Sequence, residues 1–305
     1  MKHLKTLLDW QPSETEAVLE TARDLKASWK AGKREAHLAG HVITMLFEKP
    51  SLRTRHSFET AMIHLGGGGI FLTTQEAGLK GRESLADVAR VVSSYSDFVA
   101  IRTFSQKFID EFADWSSCPV INALSDSYHP CQALTDIFTM SELFDDYRER
   151  RLVYVGDGNN VVASLAIITA QLGMPITICT PAGFELDPEL LKRLCSKYPN
   201  WSVNVTNDVD LAVKEADVVY TDVWASMGQE SEEQKRKKIF EPYQINEKLM
   251  AKTPKHCQFL HCLPAHRGDE VTDGVMDSGQ SAAFLQAENR MHLAKGLMLW
   301  LKQQQ

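Results

Sequence analysis

The sequence predicts an α/β protein of two domains, each a parallel β-sheet flanked by helices, with helices joining the two. Three observations predict it. Short apolar, partly β-branched runs alternate with longer stretches of helical periodicity, the order that builds βαβ units. At 305 residues the chain is long for a single hydrophobic core. A charged run, Asp145 to Arg151, then breaks the alternation, and a fresh strand follows it. The boundary is placed there, giving domains 1–146 and 147–286 before a C-terminal helix.

Composition narrows the function classes. Hydrophobic residues make up 44% of the chain, which suits a soluble globular protein with a real core. The formal net charge of −7, with no basic stripe or tail, argues against nucleic acid as a partner. The six cysteines (Cys118, Cys131, Cys179, Cys195, Cys257 and Cys262) are scattered without CxxC spacing, so neither a zinc site nor a disulfide framework is suggested. The apolar start ends at Asp9, too short for a signal peptide, and no run of about 18 apolar residues could span a membrane. A cytoplasmic, reduced enzyme is expected, with no metal and no cofactor.

Residues 13–31 open with Ser13 and Glu16, a capping-box pattern, and continue as an amphipathic helix. His41 to Phe47 reads as a buried strand. Pro50 breaks it, Ser51 is an N-cap candidate, and Phe58, Met62 and Leu65 follow at helical spacing. Ser51, Arg53, Thr54 and Arg55 thus crowd a helix's first turn, where unsatisfied N–H groups and the dipole favour an anion, best a phosphate. Gly66 to Gly69 must form a turn or a close packing. A strand is expected at 70–72, a polar loop from Thr73 to Glu83, a helix from Ser84 to about Ser94, and strands at 98–101 and 120–123. Arg102 and the His129-Pro130 pair follow the last two, and ligands of such sheets bind beyond the carboxyl ends of the strands.

A long helix opens at His129 and runs to the charged boundary. Strand 152–155 leads into Gly156-Asp157-Gly158-Asn159-Asn160-Val161, where Val161 stands in place of a third glycine. That partial motif is read as a tight strand-to-helix turn presenting Asn159 and Asn160, not as a dinucleotide fingerprint. Strands at 176–179, 203–205 and 218–221 continue the pattern, and Ser231 to Lys238 reads as solvated surface. A last strand, 257–260, precedes His261-Cys262-Leu263-Pro264, and a helix from about Gln286 to Leu301 ends the pattern. The first half therefore gathers cations and a His/Gln pair suited to a phosphorylated electrophile. The second gathers amides, Asp222, Ser226 and Cys262, the chemistry of an amino-acid clamp. Reaction of an acyl phosphate with an amine follows.

Four ordered motifs carry a resemblance across the whole chain. Ser51-Leu52-Arg53-Thr54-Arg55, His129-Pro130-Cys131-Gln132, Asp222-Val223-Trp224-Ala225-Ser226-Met227-Gly228 and His261-Cys262-Leu263-Pro264 resemble those of the aspartate/ornithine carbamoyltransferases, the last two those of its ornithine branch. The resemblance implies carbamoyl phosphate and L-ornithine as substrates, citrulline and phosphate as products, and a homotrimer with active sites at subunit contacts. It implies a carbamoyl phosphate-binding domain (1–146), with the C-terminal helix 287–305 packing back on it, and an ornithine-binding domain (147–286).

Carried over residue by residue, Ser51, the Leu52 N–H, Arg53, Thr54 and Arg102 would hold the phosphate. Arg102, His129 and Gln132 would polarise the carbamoyl group, and Arg290 would close over it. Asn160, Asp222, Ser226 and Met227 would position ornithine, while Cys262 and the Leu263 carbonyl would receive its side-chain amine. Read without the resemblance, Cys262 is either an inert buried thiol or a reactive group, and His129 either a cap or a ligand. Two departures stand out: Leu52 replaces the family's usual hydroxyl, and Gly78 replaces a Gln or His that reaches carbamoyl phosphate. Lys80 is the candidate substitute, with ordinary solvated surface as the alternative.

Overall fold

The computed structural model describes residues 1–79, 81–225 and 233–305. They divide into two compact units, Met1–Phe138 with Glu288–Gln305, and Thr139–Ala287. The first holds a parallel sheet of β1 (Val42–Phe47), β2 (Gly68–Thr73), β3 (Phe98–Arg102) and β4 (Val120–Leu124), ordered β2-β1-β3-β4. Around it are α1 (Pro12–Lys30), α2 (Leu52–His64), α3 (Leu85–Tyr95), α4 (Gln106–Trp115) and the start of α5 (Pro130–Leu143). β3 is buried along its whole length, which is why it reads as a continuous apolar run rather than an alternating one. Leu46, Ile101, Ile109, Phe112 and Val120 pack together on one face. The N-terminal segment covers the β4 edge, with Leu4 bridged to Ile121.

Some expectations are corrected. α1 starts at Pro12, not after Ser13, because proline's fixed φ suits a first helical position, and the Gln11 N–H donates to Glu14 Oε2 at 2.7 Å. The capping pair is therefore Gln11 and Glu14. Gly68 and Gly69 belong to β2, so the turn is confined to Gly66 and Gly67, where a Cβ on Gly67 would lie 2.7 Å from the His41 carbonyl. α4, with Ile109, Phe112 and Ala113 on its buried face, was not foreseen.

The second unit holds β5 (Leu152–Val155), β6 (Ile176–Cys179), β7 (Val203–Thr206), β8 (Val218–Thr221) and β9 (Gln258–His261), all parallel and ordered β7-β6-β5-β8-β9. Its helices are α6 (Asn160–Leu172), α7 (Pro188–Lys197), α8 (Val209–Ala212), α9 (Glu233–Phe240), α10 (Glu247–Met250) and α11 (Asp273–Met276). α12 (Ala283–Gln303) begins here and supplies the C-terminal part of the first unit. α6 is apolar all round and buried on nearly every side chain. A Cβ on Gly158 would sit 2.4 Å from the Glu185 backbone, so this glycine serves close packing of the β5–α6 turn. Within the charged run expected at the surface, Arg236 of α9 is instead buried, because its guanidinium pairs with Asp157.

Both sheets reverse their winding once, between β1 and β3 and between β5 and β8. Such switch points open the crevices in which doubly wound sheets bind ligands. Among the described residues, no helix is long and apolar enough to cross a membrane.

Candidate active site

At the β1/β3 switch point of the first unit, Ser51 caps α2, its Oγ accepting from the Thr54 N–H at 3.3 Å. The same hydroxyl donates to Thr54 Oγ1 at 3.0 Å. Leu52 and Arg53 occupy the open first turn, and the Leu52 side chain is 68% exposed, leaving only its N–H to offer an anion. Arg290 reaches this turn from α12. It donates from one nitrogen to Thr54 Oγ1 (2.9 Å) and from the other to Gln132 Oε1 (3.0 Å). Gln132 in turn donates from Nε2 to Asp136 Oδ1 at 2.7 Å, one turn along α5. Thr54, Arg290, Gln132 and Asp136 are all buried, so the hydrogen-bonded chain is fixed rather than solvated.

Arg102 ends β3 and is 8% exposed. Its position relative to α2 is set by a residue that sequence reasoning missed. Glu48 donates its N–H to the Arg102 carbonyl (2.8 Å), and its Oε2 accepts from Thr103 Oγ1 (2.7 Å) and the Phe104 N–H (3.1 Å). His129 stands buried at the start of α5. Burial, with the Arg290 and Arg102 guanidiniums near by, pushes it well below the ordinary histidine range, so it is a neutral imidazole at physiological pH. A neutral imidazole can still donate one N–H to a carbonyl oxygen. Arg55, expected among the anion ligands, is instead paired with Glu59 at 2.9 Å and stacked on Phe71.

Gly78 adopts a left-handed φ of 75°, with the Arg82 and Glu83 N–H groups donating to its carbonyl. Glycine is there for its backbone as much as for its missing side chain. Lys80, Ser226 and Met227 lie outside the described residues.

At the β5/β8 switch point of the second unit, Asp222 follows β8 and is 7% exposed. Asn159 Nδ2 donates to its Oδ2 at 2.8 Å, and the Cys262 thiol donates to its Oδ1 at 2.9 Å. Asn160, favoured as the ligand, is the first residue of α6, and Asn159 is its cap. Tyr154, pushed well above the usual phenol range by burial and by the acids Asp222 and Asp157 beside it, stays protonated and donates to the Asp157 carbonyl at 2.9 Å. Burial also raises the Asp157 carboxyl, against the opposing pull of Arg236, whose guanidinium donates to it and to the Trp224 carbonyl at 2.9 Å each.

After β9, His261 accepts the Leu263 N–H on Nδ1 (2.9 Å), which leaves Nε2 as the donor to Glu270 Oε1 at 3.0 Å. This pair holds a turn in which Leu263 takes a φ of 58°, a costly conformation for a non-glycine residue, ahead of the cis Leu263–Pro264 bond. Ligand atoms of Asp222, His261 and Cys262 lie within 4.8 Å of one another, close enough to share a metal. Both His261 nitrogens and both Asp222 oxygens are already hydrogen-bonded, so a metal would first have to displace those contacts.

An α/β protein whose two parallel sheets each gather polar side chains at the switch point has the build of an enzyme with a ligand crevice in each unit, the first of them opening on a helix N-terminus. Family models agree. Residues 2–142 match the carbamoyl-P binding domain of aspartate/ornithine carbamoyltransferase, and residues 148–301 match its Asp/Orn binding domain. The chain belongs to the aspartate/ornithine carbamoyltransferases. It is 45% identical over 302 residues to an ornithine carbamoyltransferase of Pyrococcus abyssi, covering 98% of this chain and 95% of that one. To the ornithine carbamoyltransferase of Oceanobacillus iheyensis it is 47% identical over 295 residues, covering 96% and 92%. The solved ornithine carbamoyltransferase from Pyrococcus furiosus superposes with a TM-score of 0.93 at 45% identity, covering 97% of this chain and 95% of that one. The anabolic ornithine carbamoyltransferase from Campylobacter jejuni gives 0.93 at 36% identity over the whole of both chains.

Proposed function

We propose that the chain transfers the carbamoyl group of carbamoyl phosphate to the side-chain amine of L-ornithine, releasing L-citrulline and phosphate. The first unit binds carbamoyl phosphate. Ser51, the Leu52 N–H, Arg53, Thr54 and Arg102 hold the phosphate at the positive end of α2. Arg102, His129 and Gln132 polarise the carbamoyl group, and Arg290 closes over it. Neutral His129 supports this role, since it donates without placing a third full cation beside Arg102 and Arg290. The amine attacks the carbamoyl carbon, negative charge develops on the carbonyl oxygen against these donors, and the carbon–oxygen bond to phosphate breaks. Phosphate leaves with the electron pair, and the amine's proton goes to phosphate or solvent.

Ornithine is positioned by Asn160, Asp222, Ser226 and Met227, with Cys262 and the Leu263 carbonyl at its reacting end. One observation carries the choice of acceptor. Asp222 is a buried carboxylate held on both oxygens, which suits a charged α-ammonium and not an acylated one. The test is citrulline formation from carbamoyl phosphate with a panel of amines. Ornithine should be preferred, and equal or better turnover with putrescine, aspartate or N-acetylornithine would overturn the reading.

The same reading includes a cytoplasmic homotrimer with active sites at subunit contacts. Six cysteines, all of them thiols, suit a reducing compartment. Exposed Ile63, Ile70, Val91, Tyr95 and Trp115 on the first unit offer apolar surface for subunit contact. Light scattering should return three times the chain mass.

A further inference from the structure

We propose that Asn159 is the positioning residue that aims Asp222 at the acceptor's α-ammonium, setting acceptor affinity without itself touching the acceptor. This rests on the reading that Asp222 receives that ammonium. Asn159 sits at the β5/β8 switch point, where its amide has two different ends to satisfy. Oδ1 accepts the Val161 N–H at 2.9 Å and the Val162 N–H at 3.3 Å, with the Tyr154 hydroxyl at 3.4 Å. Two helix N–H donors can be met only by the amide oxygen. The nitrogen must therefore face Asp222, and it does, 2.8 Å from Oδ2.

Cys262 occupies the other Asp222 oxygen at 2.9 Å. A carboxylate with one donor on each oxygen cannot rotate, and its remaining lone pairs keep a single direction for an incoming cation. The cap makes the amide rigid, and the rigid amide fixes the acid. Serine would keep the cap but is too short to reach Asp222. Aspartate would keep the cap and shape but would turn an oxygen toward Asp222. The groups facing this position are the carboxylate of Asp222, the Cys262 thiol, the Tyr154 hydroxyl and Asp157, which is paired with Arg236.

The experiment compares the wild-type enzyme with Asn159→Asp and Asn159→Ser, using L-ornithine and 5-aminopentanoate, which lacks only the α-amino group. Both variants retain a cap and should melt near the wild-type temperature. Losing one hydrogen bond to a charged group should raise the KM for ornithine roughly tenfold to a hundredfold in Asn159→Asp, and less in Asn159→Ser. The KM for carbamoyl phosphate should stay put. Turnover of 5-aminopentanoate should hardly change, so the preference for ornithine over it collapses. If the variants keep the wild-type preference, Asn159 is only a cap and the inference fails. If the wild-type enzyme shows no preference to begin with, the role given to Asp222 fails instead.

Discussion

Lys295, on α12, is 2% exposed, and its ammonium lies 5.0 Å from the centre of the Trp29 ring. Burial, with Arg34 and Lys26 near by, lowers its pKa to about 8 from an ordinary 10.5. The first unit thus buries a cation whose neighbours repel it. Replacing it in Lys295→Met keeps the stem and removes the charge. Between pH 8 and 10.5 the folded protein holds fewer protons here than the unfolded chain, so wild-type stability rises with pH across that window and the cost is full below it. A gap of this size corresponds to about 3 kcal/mol at pH 7, about 2 kcal/mol at pH 9 and almost nothing above pH 10.5. Urea unfolding of both proteins at each pH measures the difference, because every other titrating group is common to the two. Lys295→Met should be the more stable at pH 7, with the advantage shrinking as pH rises. A difference that is flat with pH, or a variant less stable at pH 7, would refute the reasoning.

Arg53→Ala should lower kcat roughly 10²–10³-fold, as removal of an oxyanion donor does at comparable sites, because its guanidinium can bridge the phosphate and the developing oxyanion; a rise confined to the KM for carbamoyl phosphate would make Arg53 a uniform binder. The rate should climb from neutral toward alkaline pH as the acceptor amine loses its proton, and Cys262→Ser should move both that profile and the KM for ornithine. Unchanged values would remove Cys262 from the site. Gly296→Ala should lower the melting temperature by an amount equivalent to about 1–3 kcal/mol, because the new Cβ would meet the Ala22 backbone of α1 at 2.7 Å. Gly78→Gln should not improve the KM for carbamoyl phosphate, since the left-handed φ of 75° strains any side chain placed there; an improvement would show that the backbone relaxes.

Strands were the most legible part of the chain, because a parallel strand buried on both faces leaves an unbroken apolar run that no helix face imitates over five residues. α4 escaped notice because its ten residues intersperse Lys107, Asp110, Glu111 and Asp114 with the buried face, so the stretch resembles a polar connection. Charge runs mislead in the opposite way. Nothing local distinguishes Arg236 from Lys235 or Lys237, and its partner Asp157 lies 79 residues away. Motif residues near strand ends were readable as a set, but the contacts between them were not. Arg290 and Thr54 are separated by 236 residues, and Glu48 acts on Arg102 from just past the end of β1. Choosing Asn160 over Asn159 came from the resemblance alone, and only the cap geometry separates what the two amides can do.

The reach of Arg290 back to Thr54 and Gln132 has a consequence for synthesis. A ribosome finishes the segment Met1–Phe138 long before it reaches Arg290. At about 5–20 residues per second, the intervening stretch takes roughly 8–30 s to translate. Throughout that interval the nascent first unit carries Ser51, Arg53, Thr54, Arg102, His129 and Gln132 without the guanidinium that joins α2 to α5. The hydrogen-bonded link between α2 and α5 therefore arrives late in translation, after the whole of the second sheet has been made. A nonsense codon anywhere between Thr139 and Glu288 would leave a polypeptide with most of the proposed anion ligands and without the guanidinium that links α2 to α5.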